Sequence, residues 1–344
     1  MPFYRRAALA VAAAGLLTAA SGPAAAQYFG RNKVRYRTFH FQVLKTAHFD
    51  IYYYPEERVA VEQAGRMAER WYARLSRILN HQLSARQPII LYASHPDFEQ
   101  TNTLEGELGE GTGGVTEILK RRVVLPLAGP LSETDHVLGH ELVHAFQFDI
   151  TGHAGPVSEG NIPGATRLPL WFIEGMAEYL SLGPVDPHTA MWMRDAVRQA
   201  EDRPKKDKLP SVRDLESPRY FPYRWGQALW AYIGGRWGDP VVGQMLRAAV
   251  RANDMDRVVS EVLGIDAKKL SDDWHAALKE AYGPLVTSKQ AASRYGPALV
   301  TDKNGGELNV GPALSPDGRR VVFLSSKDLF SIEMFLADVP SRRV

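Results

Sequence analysis

The chain has 344 residues, 45% apolar and 23% charged, a balance that excludes disorder as its default and leaves room for two globular domains. Lys and Arg number 41 against 39 Asp and Glu, so no basic surface of the kind that binds nucleic acid is expected. Cysteine is absent, which excludes disulfides and a lipidated N-terminal cysteine alike.

Residues 1–26 stand apart. Arg5 and Arg6 precede the apolar run AALAVAAAGLLTAA, and the small residues Ala24, Ala25 and Ala26 follow. The run is too short and too rich in alanine to span a bilayer comfortably, so it reads as a secretory signal cleaved before Gln27; a retained N-terminal anchor is the alternative. Without those two arginines the remainder carries 39 basic and 39 acidic residues and no net charge. The expected location is periplasmic or secreted, with no membrane span after signal cleavage. RPKKDK, 203–208, is short and interrupted by Asp207, and reads as a solvated loop.

In FHFQVLKTAHFDIYYY, 39–54, aromatic and β-branched residues predict two strands or one bent strand. Over 56–83, Ala60, Ala64, Met67, Ala68, Trp71, Leu75, Ile78 and Leu79 recur at three- and four-residue steps, which predicts a long amphipathic helix packed on a sheet. PIILYAS, 88–94, is a compact strand. After the glycine-rich turn 109–114, GVTEILKRRVVLPL reads as a strand or hairpin, with Pro126 suited to a strand end.

Ser132 is placed as the cap of a helix starting near Glu133, with Asp135 completing a partial capping box. That helix carries DHVLGHELVHAFQFDI, 135–150, in which His136, His140 and His144 stand at i, i+4 and i+8 and share one stripe. The glutamate chooses between the pairs. His140-Glu141-Leu142-Val143-His144 is an HExxH pattern, two imidazoles one turn apart for Zn²⁺ with a carboxylate beside them, whereas pairing His136 with His140 leaves Val137 in the base position. His136 is then structural or a hydrogen-bonding neighbour of the ligands. A catalytic zinc takes three protein ligands. Downstream, LPLWFIEGMAEYLSLG, 168–183, sets Glu174 and Glu178 on one helical face: Glu174 is the candidate third ligand, and Glu178 the candidate acceptor for the free ring N–H of a ligand histidine. Two solvated carboxylates are the alternative, against which stands the apolar crowd of Trp171, Phe172, Ile173, Met176 and Leu180.

HELVH followed by WFIEGMAEY resembles the gluzincin metallopeptidases of the peptidase MA type, in which the glutamate of a W-x-x-E-G-x-A segment is the third ligand. The resemblance implies His140, His144 and Glu174 on zinc and Glu141 as general base for a zinc-activated water attacking a peptide bond. The 29 residues between His144 and Glu174 exceed the spacing of the aminopeptidase branch, and GGVTE, 113–117, matches that branch's substrate-binding strand only loosely, so an endopeptidase is expected. Tyr223-Arg224-Trp225-Gly226 resembles a Y-x-x-G segment whose tyrosine donates to the oxyanion. Tyr223 is the candidate donor, a core tyrosine beside Trp225 and Trp230 the alternative reading, and Arg219, Tyr220, His153 and His188 its rivals.

Between the two motifs, 151–169 is dense in glycine and proline and reads as a loop that shapes access to the cleft or merely connects. Helices are predicted over 187–201, 225–236, 240–251, 254–263 and 267–281, with Pro240 at a start and Gly264 and Gly283 at ends. After a polar linker, the SPDG turn and the runs VVFLSS and IEMFLADV resemble one blade of a TolB-type β-propeller, which implies envelope protein partners; a simple β-hairpin appendage is the alternative.

The expected fold class is therefore α+β: a zincin-like metallopeptidase domain over 27–284, built of a small mixed sheet, an active-site helix and a helical lobe, then a linker 285–304 and a partial β-propeller blade 305–344. The expected activity is that of an exported zinc endopeptidase acting on a peptide or protein substrate. A non-catalytic envelope binding protein on the same scaffold, or a zinc amidase for a non-protein amide, are the alternatives.

Overall fold

The computed structural model describes residues 35–344 except 105–107, 110, 128, 153–161, 253, 291–293, 307 and 329–331. The signal reading of 1–26, His153 and residues 153–161 of the 151–169 loop lie outside the described residues. The chain is mixed α/β, with two small sheets, and divides into two compact units that meet in sequence at Lys279 and Glu280. No helix among the described residues is long and apolar enough to cross a membrane.

The first unit is built on a five-stranded mixed sheet. Strands β1 (Gln42–Lys45) and β2 (Phe49–Tyr53) form an antiparallel hairpin; β3 (Gln87–Tyr92) and β5 (Arg122–Pro126) add in parallel, and β4 (Val115–Glu117) closes the edge antiparallel to β5 in the order β1-β2-β3-β5-β4. Side chains alternate across a strand. Ile51, Ile89 and Val123, paired across the sheet, are buried on one face; Tyr92 and Val124 turn to the other and cluster with Tyr54 and Phe98, the latter from the short helix α2 (His95–Glu99).

Two long helices cover the first face. The stripe expected over 56–83 becomes α1 (Arg58–Leu79), burying Val61, Ala64, Ala68, Trp71, Leu75 and Ile78. Each fully buried large apolar side chain of this kind contributes about 1.5–3 kcal/mol. Helix α3 (Leu131–Thr151) crosses α1 closely, because a Cβ at Gly139 would come within 2.5 Å of the Trp71 ring. The Trp71 indole N–H donates to Asp135 Oδ1 at 2.9 Å and fixes the register of the pair. Ser132 does not cap α3. The helix begins two residues before Glu133, behind Pro130, whose carbonyl accepts the Glu133 N–H at 2.9 Å, so Ser132 lies inside the first turn and no side-chain cap forms.

The helical lobe follows as α4 (Leu170–Leu182), α5 (Pro187–Asp202), α6 (Pro222–Trp237), α7 (Pro240–Ala252), α8 (Met255–Leu263) and α9 (Ala267–Ser288). Asp186 and Asp254 cap α5 and α8 with their side chains, and Gly264 ends α8 at φ 71°. Gly283 does not end α9: glycine permits a break without imposing one, and the helix runs on through Pro284 to Ser288. The expected linker from 285 therefore starts inside a helix.

The second unit contains β6 (Asn309–Leu314), β7 (Arg320–Ser325) and β8 (Glu333–Asp338) as an open antiparallel sheet. The SPDG segment turns between the first two: Ser315 Oγ donates to Asp317 Oδ1 at 2.6 Å and Gly318 takes φ 70°, a conformation glycine adopts without a Cβ penalty.

Candidate metal centre

Every residue of α3 from Leu138 to Phe148 is buried, including His140, Glu141, His144 and Gln147. Polar groups taken out of water need partners, and α4 and β4 supply them. Helix α4 crosses α3 and aims Glu174 and Glu178 at the histidine stripe. Helix α6 crosses α4 through two glycines: a Cβ at Gly175 would come within 2.4 Å of Gly226, and one at Gly226 within 2.2 Å of the Trp171 carbonyl. That backbone-to-backbone contact, secured where the Trp230 indole N–H donates to Phe172 O at 2.9 Å, brings Tyr223 and Arg224 over the same carboxylates.

His140 Nε2, His144 Nε2 and Glu174 Oε2 form a nearly equilateral triangle with sides of 3.2, 3.3 and 3.3 Å. Ligand atoms about 2.0–2.1 Å from a tetrahedral ion stand about 3.3–3.4 Å apart, so the three atoms fit one zinc-sized ion. A second group, His136, His140 and Glu178, also has its ligand atoms close enough together to hold a metal ion. There Glu178 Oε1 lies 3.0 Å from His140 Nδ1 and 3.2 Å from His136 Nε2, while Glu178 Oε2 accepts from Arg224 Nη1 at 3.0 Å. Arg224 also reaches Asp186 at 3.4 Å.

The tautomers of the triangle follow from their neighbours. Gln147 Nε2 donates to the Ile173 carbonyl at 3.0 Å, so its Oε1 is the atom that accepts from His144 Nδ1 at 2.8 Å. Glu178 accepts from His140 Nδ1. Both rings thus present Nε2 to the centre of the triangle.

Burial opposes the charge on His140, but the Glu174 and Glu178 carboxylates beside it win and raise the imidazole to about 10. His144 is raised by Glu174 against the same pull of burial. For the carboxylates burial acts upward and the histidines overcome it, leaving Glu174 well below the carboxylate range and Glu178 at about 2. The pocket is thus organised around ionised carboxylates and a positive charge at its centre, which a divalent ion supplies when it displaces the protons.

Glu141, 6% exposed, lines the same cavity as the triangle, and its Oε2 accepts from Thr116 Oγ1, on the edge strand, at 2.7 Å. Tyr223 stacks on His140, with ring centroids 5.8 Å apart and planes 19° from parallel. Burial first, and then Glu174, raise its hydroxyl above the ordinary tyrosine range, so it stays a donor. Two cavities of about 450 and 440 Å³ open here and share Thr112, Gly114, His140, Glu141 and Tyr223. One is completed by His136, Phe221 and Arg224, the other by Phe148, Leu168, Leu170 and Ile173.

The structure thus brings together His136, His140, Glu141, His144, Glu174, Glu178 and Tyr223. Of the rivals to Tyr223, His188 and Arg219 are exposed and Tyr220 packs on Trp225; none lines either cavity. Three neighbours had no assigned role in the sequence. Gln147 carries a signal, since it stands at i+3 from His144. Arg224 sits next to Tyr223 in the quoted motif, but its pairing with Glu178 depends on the glycine crossing. Thr116 lies in GGVTE, with nothing local to point it at Glu141. No protein-family model matches the chain, and no curated protein is significantly similar to it.

Proposed function

We propose that the chain is an exported zinc-dependent metallopeptidase of the gluzincin type, an endopeptidase that hydrolyses peptide or protein substrates. The observation that carries this reading is the triangle of His140 Nε2, His144 Nε2 and Glu174 Oε2 with Glu141 beside it in an open cleft. Of the two possible metal groups, this one is favoured because Glu178 is already neutralised by Arg224 and is engaged in orienting His140. Two imidazoles and a carboxylate suit zinc. Export rests on residues 1–26, and recruitment of envelope partners by a propeller blade on the SPDG segment.

His140, His144 and Glu174 would hold a divalent ion, which would supply Lewis acidity toward water and a substrate carbonyl. Glu141 takes the proton of the attacking water and later returns it to the leaving amine. The Tyr223 hydroxyl, kept protonated by its surroundings, donates to the oxygen on which negative charge develops. His136 and Arg224 hold Glu178, which holds His140; Gln147 holds His144.

Cleavage of an unfolded protein substrate tests the proposal. The purified protein is expected to cut it, chelation to stop the reaction and Zn²⁺ to restore it, and Glu141→Gln to lower turnover by about 10²–10⁴-fold while the ion stays bound. Cleavage that survives Glu141→Gln contradicts it.

A further inference from the structure

We propose that Thr116, on the edge strand, is a positioning residue for Glu141: its hydroxyl holds Oε2 and leaves Oε1 to take the proton from the attacking water. The inference rests on the peptidase reading above.

The placement begins with strand parity. Thr116 pairs with Val123 and so projects from the face that carries α3, whereas Val115 pairs with Val124 on the other face. Thr116, 9% exposed, therefore meets α3 side-on, with its Oγ1 at 2.7 Å from Glu141 Oε2 and 2.8 Å from the Glu141 main-chain carbonyl. One hydroxyl proton serves two acceptors, and a carboxylate oxygen is a stronger acceptor than a main-chain carbonyl. No other group among the described residues hydrogen-bonds this carboxylate.

Gly114 flanks the other side. A Cβ there would lie 2.9 Å from Val137 Cγ1, 3.0 Å from Glu141 Cγ and 3.2 Å from Glu141 Oε1. A side chain at position 114 would thus crowd Oε1; glycine leaves that oxygen uncovered there, while the Thr116 hydroxyl ties down Oε2. A general base works only within hydrogen-bond reach of the proton it removes, and an unrestrained glutamate spends much of its time elsewhere. In the reaction the water oxygen bonds to the carbonyl carbon, its proton passes to Oε1, the C–N bond breaks, and the same proton reaches the amine nitrogen. Thr116 exchanges no proton in either step.

The test compares Thr116→Val, nearly isosteric without the hydroxyl, with Thr116→Ser, which keeps it. Three quantities are read: kcat and KM on one peptide, bound metal, and calorimetric affinity for acetohydroxamate, a chelator that gives a proton to a neighbouring base as it binds metal. Thr116→Val is expected to lower kcat about 10–100-fold with KM within about twofold, to keep its metal, and to bind acetohydroxamate about tenfold more weakly; Thr116→Ser restores most of both. Equal kcat, or equal acetohydroxamate affinity, in Thr116→Val and the unmodified protein overturns the proposal. Where valine disturbs folding, as judged by melting temperature, Thr116→Ala gives the same comparison. If the unmodified protein cleaves nothing, the peptidase reading fails, and acetohydroxamate affinity alone still decides whether Thr116 positions Glu141.

Discussion

His140, Glu141 and His144 were legible because their relation is intrinsic to one helix: the spacing alone puts two imidazoles on one stripe with the carboxylate beside them. Residues that act across elements were not. Thr116 reaches Glu141 only because β4 lies beside α3, across a separation of 25 positions in the chain. Gln147 is intermediate, local to His144 but defined by the Ile173 carbonyl that orients its amide. Gln147→Leu is therefore expected to weaken zinc binding about 10–100-fold, as loss of a group that orients a ligand does, measured by competition with a chelator; unchanged affinity contradicts the role. A second residue-scale prediction concerns Glu57, 2% exposed, whose Oε2 accepts the Tyr54 N–H at 2.8 Å and whose Oε1 has no partner among the described residues. Burial, helped by Asp97 and Glu56 and opposed by the Tyr54 N–H and Arg37, raises its carboxyl from 4.5 to about 7. The folded state holds that proton more tightly, so the stability this group contributes is complete below pH 4.5 and lost as pH rises through 7, by about 3 kcal/mol at most. Glu57→Gln should gain on the unmodified protein in urea midpoint between pH 5 and pH 8. A difference independent of pH would rule this out.

At the scale of elements, the sequence pattern located α1, α5, α6, α7 and α8 to within about four residues, whereas α9 runs seven residues past its expected end at 281. What it missed has a common cause. Side-chain capping by Ser132 and termination at Gly283 are local preferences worth about 1 kcal/mol, and main-chain hydrogen bonding overrode both. The α4–α6 crossing was not readable either, although both its glycines stand in the quoted motifs, because a glycine that lets two backbones touch looks like any other until the partner is known. The crossing leads to a prediction. Gly175→Ala or Gly226→Ala inserts a methyl where 2.2–2.4 Å is available to backbone atoms, and should destabilise the fold by about 1–3 kcal/mol or more. Because the same crossing carries Arg224 to Glu178, zinc affinity should fall with stability. Loss of neither, by urea unfolding and chelator competition, contradicts the packing argument.

At the scale of the molecule, composition and the order of strands and helices foretold a mixed α/β chain, and the five-stranded sheet with two helices on one face gives the site its frame. Sheet order was beyond reach, since the edge position of β4 results from long-range pairing with β5. Every proposed ligand, with the proposed base and its holding residues, belongs to the first unit, and the SPDG sheet to the second. The measurement that bears most directly on the proposed centre is anomalous diffraction at the zinc edge from crystals grown with one equivalent of Zn²⁺. A single peak bounded by His140 Nε2, His144 Nε2 and Glu174 is predicted, retained in Glu141→Gln and absent in His144→Ala. A peak among His136, His140 and Glu178, or none at all, would contradict the assignment and the chemistry built on it.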